Sequence, residues 1–233
     1  VFGGYARMRA AATTAAAGGD WSTAYLDALS AAPAATRAGL YTDAYRDHLW
    51  DVPPLPEAAR QDLLHGPGSV LERITRFELG HRLPAYHLRR VDHLSMAGSI
   101  EVRLPFCQRS VVALGRALPD TLRIDGDQVK RTLYAAARGL LPDSVLDRPK
   151  QPFTLPVTAM LTPGTALWEH ARDLLTPARL AADGRLDGTA VDALFDAQAH
   201  RPDDTTSSTL WALLVHEVWR ERFQGAAGDL APP

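Results

Sequence analysis

Apolar side chains in this chain recur three and four residues apart and almost never alternate, a spacing that builds helices rather than sheets. The clearest case follows Ser69 and Glu72, which form a capping-box pattern. Val70, Leu71, Ile74, Phe77 and Leu79 then fall on or near one face. A second stripe, Val129, Leu133, Ala136, Ala137 and Leu140, predicts a helix over 128–141. Leu210, Leu213, Leu214, Val218 and Phe223 predict one over 207–223. Abundant alanine and scarce β-branched alternation favour the same class, so the expectation is a mainly α chain.

Glycine and proline punctuate the helices. Gly18-Gly19 ends a predicted helix over 5–17. Asp20 caps the next, over 21–32, which Pro33 stops. Thr42 caps a short helix through Trp50, and Val52-Pro53-Pro54-Leu55-Pro56 is a loop because proline lacks the backbone donor. A helix over 57–65 follows. Leu83-Pro84 is expected to break the 69–79 helix, which resumes over 86–96. Residues 98–105 are expected to be extended or irregular. Further helices are predicted over 108–118, 142–148, 166–175 and 189–200, with 224–233 a frayed tail.

With 25 Lys plus Arg against 27 Asp plus Glu, the formal charge is −2, so no global field draws the chain to nucleic acid or to anionic membranes. No apolar run approaches the ~20 residues a membrane-spanning helix needs. The single cysteine, Cys107, excludes an internal disulfide and fits a reducing, cytoplasmic setting. The 8 histidines are scattered without ligand spacing, so no metal site is expected from them, and neither Ser95 nor Ser99 has a recognisable base and orienter.

Three ordered segments carry the functional signal. Val1-Phe2-Gly3-Gly4-Tyr5 opens the chain. Val91-Asp92-His93-Leu94-Ser95-Met96-Ala97-Gly98-Ser99-Ile100-Glu101-Val102-Arg103-Leu104-Pro105-Phe106 lies in the middle, and Asp147-Arg148-Pro149-Lys150-Gln151-Pro152-Phe153 follows. Together they resemble the C-terminal synthetase domain of the glutamine-dependent asparagine synthetase family. That family typically has ELFGGY, VDRASMAHSLEVRVPFLD and NRPKQGF in this order. The resemblance covers residues 1–222 and is sharpest over 83–156. It implies the helical C-terminal part of an α/β adenylate-forming (ATP pyrophosphatase-type) synthetase domain, here assigned to 1–223. It also implies ATP- and Mg²⁺-dependent, AMP-forming amide synthesis. A carboxylate becomes an acyl-adenylate, which ammonia from glutamine or another amine then attacks.

The resemblance assigns roles residue by residue. Lys150 matches the lysine of the RPK motif, implying a phosphate contact and stabilisation of charge during acyl transfer. Lys130 matches the lysine of a GEK-type segment, implying a second pyrophosphate contact. These two are the only lysines beside 23 arginines. Asp92, Glu101 and Arg103 either build the substrate cleft or form a buried structural ion pair, and Arg90 could face a substrate acid group. No metal ligand is assigned. His93 stands in place of the family's arginine, Cys107 of its leucine, Gln108 of its aspartate and Pro152 of its glycine. Those departures leave the acceptor acid open.

The family's glutaminase nucleophile and SGGxDS pyrophosphate loop have no counterpart in these residues. The expected partner is therefore an upstream segment of the same protein, or a second chain, that supplies both. This half would present the surface that meets their sheet, and would not be active alone. A small-molecule carboxylate is the expected substrate, and a homodimer is among the assemblies left open. Specialised amide, β-lactam or peptide-cyclising relatives, including those of antibiotic biosynthesis, make an intramolecular ligase one alternative. A non-catalytic helical partner subunit is the other.

Overall fold

A computed structural model describes residues 5–49, 52, 55–149 and 155–223. These are mainly helical, and among them the only sheet-like pairings are isolated bridges such as Tyr41 with Leu186 and Asp125 with Gln128. Two compact units are present. One draws on Val1–Leu26 and Pro54–Gln151, the other on Asp27–Pro53 and Pro152–Pro233.

In the first unit the Val70–Phe77 helix is the organising element. The Ser69 hydroxyl accepts from Glu72 N at 3.1 Å and the Glu72 carboxylate accepts from Ser69 N at 3.3 Å, so the expected capping box forms. Leu71, Ile74 and Phe77 are buried from this helix, and Met8, Ala11, Tyr25, Ala59 and Leu63 belong to the same unit's buried set. Each large side chain so buried contributes about 1.5–3 kcal/mol. Tyr25 meets Phe77 edge to face, with ring centroids 6.1 Å apart.

The expected break at Leu83-Pro84 does not occur. The chain leaves Phe77 directly into a π-helix, Glu78–Leu88, with Pro84 inside it, and then into the Arg89–Ala97 helix. In an α-helix a proline ring clashes with the carbonyl four residues back and its missing N–H breaks the ladder. The wider π register, in which Arg89 N bonds Pro84 O five residues back, relieves that conflict without ending the helix.

The helix expected over 128–141 is shorter, Arg131–Ala137, and its apolar stripe is not buried: Leu140 is 81% exposed. Asp125 and Gln128 close a tight turn through two 3.0 Å backbone bonds, with Gly126 at φ +55°. Lys130 itself is left-handed at φ 54°. Helical propagation therefore cannot begin before Arg131, and Gly139 at φ +79° ends it.

Ile100 to Leu104 is irregular, as expected. Leu94, Met96, Ile100, Val102, Leu104 and Phe106 are all exposed there, an apolar surface of a kind that soluble chains seldom leave bare.

The second unit packs Leu161, Trp168, Leu175, Leu180, Val191, Phe195 and Leu210 into one core. Three of its helices lack a predicted counterpart, Ala34–Leu40, Val157–Met160 and Pro177–Asp183. Pro33 does not stop the preceding helix, which already ends at Asp27; instead it stands at the entrance of Ala34–Leu40, where its fixed φ is suited. Pro177 likewise opens Pro177–Asp183, behind the Thr176 cap. Thr42 caps Asp43–His48 by accepting from Tyr45 N at 3.2 Å. The long final helix begins at Asp204, ahead of its predicted start, and runs to Phe223. Residues 224–233, and the expectation of a frayed tail, lie outside the described residues.

Candidate functional site

The two lysines meet different outcomes. Lys150 lies outside the described residues, as do Phe2, Gly3 and Gly4. Lys130 is half-buried at the entrance of the Arg131–Ala137 helix. Its carbonyl accepts from Tyr134 N at 3.0 Å. The neighbouring Arg131 reaches the Asp125 carboxylate at 3.2 Å and the Thr121 carbonyl, and Thr132 donates to Leu122 O at 2.8 Å. The turn and helix start that carry Lys130 are thus pinned to the preceding Asp120–Arg123 helix.

One open cavity joins the two motif regions. Gln128, Val129, Arg131 and Tyr134 line it from the Lys130 side, and Leu146, Asp147 and Arg148 from the other. Arg138, also in its wall, reaches Asp143 at 3.7 Å and Asp147 at 3.5 Å. The Asp143–Leu146 helix buries Leu146 and so holds the approach to Pro149 in place. Arg131, Arg138 and Arg148 stand in its wall with Asp127 and Asp147, and Asp125 and Asp143 pair with Arg131 and Arg138, so the wall is polar with its guanidiniums largely compensated.

Glu101 and Arg103 do pair, at 2.9 Å, but both side chains are largely exposed, so the buried version of that pair is not what forms. An exposed pair of this kind is worth about 0–1 kcal/mol. Asp92 and Arg90 are both exposed on the Arg89–Ala97 helix. The Ser95 hydroxyl bonds the Asp92 carbonyl, not its carboxylate, at 3.2 Å. Arg90 donates to the Tyr86 hydroxyl at 3.0 Å, with its guanidinium carbon 4.6 Å from the ring centroid.

A polar cluster that the sequence analysis missed sits at the start of the π-helix. The Glu78 carboxylate accepts from the Tyr25 hydroxyl at 2.6 Å, from Arg7 Nη2 at 2.8 Å and from Arg82 Nη1 at 3.3 Å. Burial by itself would raise the Glu78 pKa, but these donors and the arginine charges overcome it and the net shift is downward. Burial, then the adjacent carboxylate, push the Tyr25 hydroxyl well above its ordinary value. Arg82 also meets His87 Nε2 at 2.9 Å, and its guanidinium carbon lies 5.2 Å from the Tyr86 ring centroid. Arg7 and Glu78 are 71 residues apart, so no local pattern could have joined them. The spacing of Arg82, Tyr86 and Arg90, by contrast, was open to view.

Among the described residues no three His, Cys, Asp or Glu side chains gather into a metal-holding group. No described helix is long and apolar enough to cross a membrane.

These features define a helical chain with an arginine-lined cavity shared by two motif-bearing segments. The chain belongs to the asparagine synthase family, whose profile matches residues 1–221. Asparagine synthetase [glutamine-hydrolyzing] 1 of Bacillus subtilis (strain 168) is 29% identical over 132 residues, 57% of this chain and 20% of that protein. A putative glutamine-hydrolysing asparagine synthetase of Mycobacterium bovis is 31% identical over 137 residues, 58% of this chain and 20% of that protein. Asparagine synthetase [glutamine-hydrolyzing] 3 of B. subtilis is 33% identical over 81 residues, 35% of this chain and 13% of that protein. The matched region thus spans about a fifth of the first two relatives' length. No solved structure matches the chain.

Proposed function

We propose that this chain is the helical part of an ATP-dependent amide-forming ligase. It acts with an upstream segment or second chain that supplies the nucleotide loop and, where glutamine is the donor, the glutaminase. The observation that carries the proposal is the single cavity lined from both the Gln128–Arg131 and the Asp147–Arg148 segments. Family membership over residues 1–221 gives that cavity its chemical meaning.

In this reading the carboxylate is adenylated and an amine displaces AMP. Bound ATP and Mg²⁺ supply the activating phosphoryl chemistry. The chain's own part is electrostatic. On that reading Lys130 and Lys150 supply positive charge to the departing pyrophosphate, with Arg148 the cavity-wall guanidinium that could add to it. Asp92, Glu101 and Arg103 serve, in the same reading, the binding of the acid. The bare apolar face from Leu94 to Phe106 supports a surface that another part of the synthetase covers. The compartment consistent with this reading is the cytoplasm.

The test is ATP–pyrophosphate exchange by the complete protein with a panel of candidate acids, aspartate included. Acid-dependent exchange is expected, with a large fall in Lys150→Ala. Exchange that never depends on an added acid, or that is indifferent to Lys150→Ala, would sink the proposal. Product formation without ammonia or glutamine would identify the intramolecular form of the reaction.

A further inference from the structure

We propose that the outer face of the Asp204–Phe223 helix is an interface between two copies of this chain, paired antiparallel with Asp204 of each against Arg222 of the other. The helix is apolar on two opposite sides. One side sends Leu210 and Leu214 into the second unit's core, and Ser207, Thr209 and Glu217 are buried with them. On the other side Val215, Val218, Trp219 and Phe223 are each between 41% and 56% exposed. A helix that is apolar all round belongs in an interior, and this one has only one side covered.

Asp204, Ser208, Trp211, Val215, Val218 and Arg222 follow one another at alternating spacings of four and three residues. That repeat keeps a seam in line along a helix and is the one by which paired helices meet. Trp219 and Phe223 flank the seam, with ring centroids 6.3 Å apart.

The charges at the two ends of the seam select the occupant. It begins on an acid, ends on a base and has Leu213 at its midpoint. A two-fold axis at that midpoint sets Asp204 opposite the partner's Arg222, Ser208 opposite the partner's Val218 and Trp211 opposite the partner's Val215. Every contact then occurs twice, as a closed dimer requires. A parallel pair would instead set acid on acid and base on base, so charge favours the antiparallel one. Among the described residues Arg222 has no ion-pair partner, and the exposed Asp204 carboxylate accepts only from the Thr158 hydroxyl, at 2.6 Å. An open recess beside the start of the seam, lined by Leu155, Pro156, Ser207 and Ser208, offers room to the partner's Trp219, which the same axis sets opposite Ser207.

The interface uses no residue of the proposed site, and its test needs neither ATP nor an acid. Sedimentation of the full chain over a wide concentration range is expected to show a reversible shift from 25.3 kDa to twice that mass. Asp204→Lys and Arg222→Glu, each checked for folding by circular dichroism, should each weaken association at least about tenfold, because each sets like charges opposite one another at both ends of the seam. An equimolar mixture of the two variants should recover the parental association, since both ends then pair opposite charges. Val215→Lys, at the centre of the seam, should leave a monomer. A parent that stays monomeric at every concentration would overturn the proposal and leave this face to another part of the synthetase. Single variants that dimerise as the parent does would remove this face from the interface. A mixture that stays monomeric would overturn the antiparallel pairing. Should Asp204→Lys fail to fold for want of its Thr158 contact, Arg222→Glu decides alone, because that side chain has no ion pair to lose: undiminished dimerisation overturns the interface.

Discussion

The Tyr25 hydroxyl donates to Glu78 Oε1 at 2.6 Å, and the same oxygen accepts from Arg7 Nη2 at 2.8 Å. One carboxylate oxygen therefore ties the helices Ala6–Ala16 and Trp21–Asp27 to the first residue of the π-helix. A buried carboxylate is costly alone, and it is tolerated here because donors surround it.

Removing that carboxylate leaves Arg7 and Arg82 without their shared counter-charge. Glu78→Gln is expected to destabilise the fold by about 3–5 kcal/mol. Tyr25→Phe, which deletes one donor and keeps the ring packing on Phe77, should cost about 1–3 kcal/mol. Urea unfolding of the two variants checks the order, and a loss for Tyr25→Phe as large as for Glu78→Gln would contradict it.

Gln198 is fully buried in the second unit. Its Nε2 donates to the Leu161 carbonyl at 3.0 Å, and its Oε1 accepts from Asp203 N at 3.4 Å. Gln198→Leu keeps the approximate volume and strands these two backbone groups and the Thr158 carbonyl, to which Nε2 also donates at 3.3 Å. The expected loss is about 1–3 kcal/mol, read as a lowered thermal midpoint.

The Asp187 carboxylate caps the Gly188–His200 helix, accepting from Thr189 N at 2.8 Å and Ala190 N at 3.2 Å. Asp187→Ala should cost about 1 kcal/mol and Asp187→Asn much less, since asparagine caps nearly as well. Chemical denaturation of the pair separates capping from charge. Gly188→Ala is expected to disturb the same corner, because a Cβ there would stand 2.7 Å from Pro177 Cα.

Acid should weaken the first unit through Asp20. Hydrogen bonds from Thr23 and then Ser22 hold its pKa at about 2, against an ordinary 3.8. A lowered folded value means that its contribution is intact above the ordinary value and is lost as pH falls towards 2. Glu78, also shifted downward, acts in the same direction. Asp20→Asn keeps a capping side chain but removes the titration. Thermal melts between neutral and strongly acidic pH should show a shallower decline for it than for the parent.

Within the complete protein, Lys130→Ala is expected to slow amide formation about 10²–10³-fold, the scale seen when a group stabilising developing charge is removed. Circular dichroism should stay at the parental level. Steady-state rates at saturating ATP and acid are the measurement, and parental rates would remove Lys130 from the site.

Much of the local structure was determined by the sequence itself. The Ser69–Glu72 capping box, the Thr42 cap and the helical class depend on residues within a few positions of one another, and the motif order that marks the family is read directly along the chain. Other features depended on contacts across the chain. Pro84 continues a helix because the register widens around it. Leu140 ends up exposed because Gly139, at φ +79°, ends the Arg131–Ala137 helix before reaching it. The meeting of Arg7, Tyr25 and Glu78, and the cavity shared by the Gln128 and Arg148 segments, arise only once distant elements pack. Hydrogen-bond satisfaction of a buried charge is a property of three-dimensional neighbours, and no spacing along the chain encodes it.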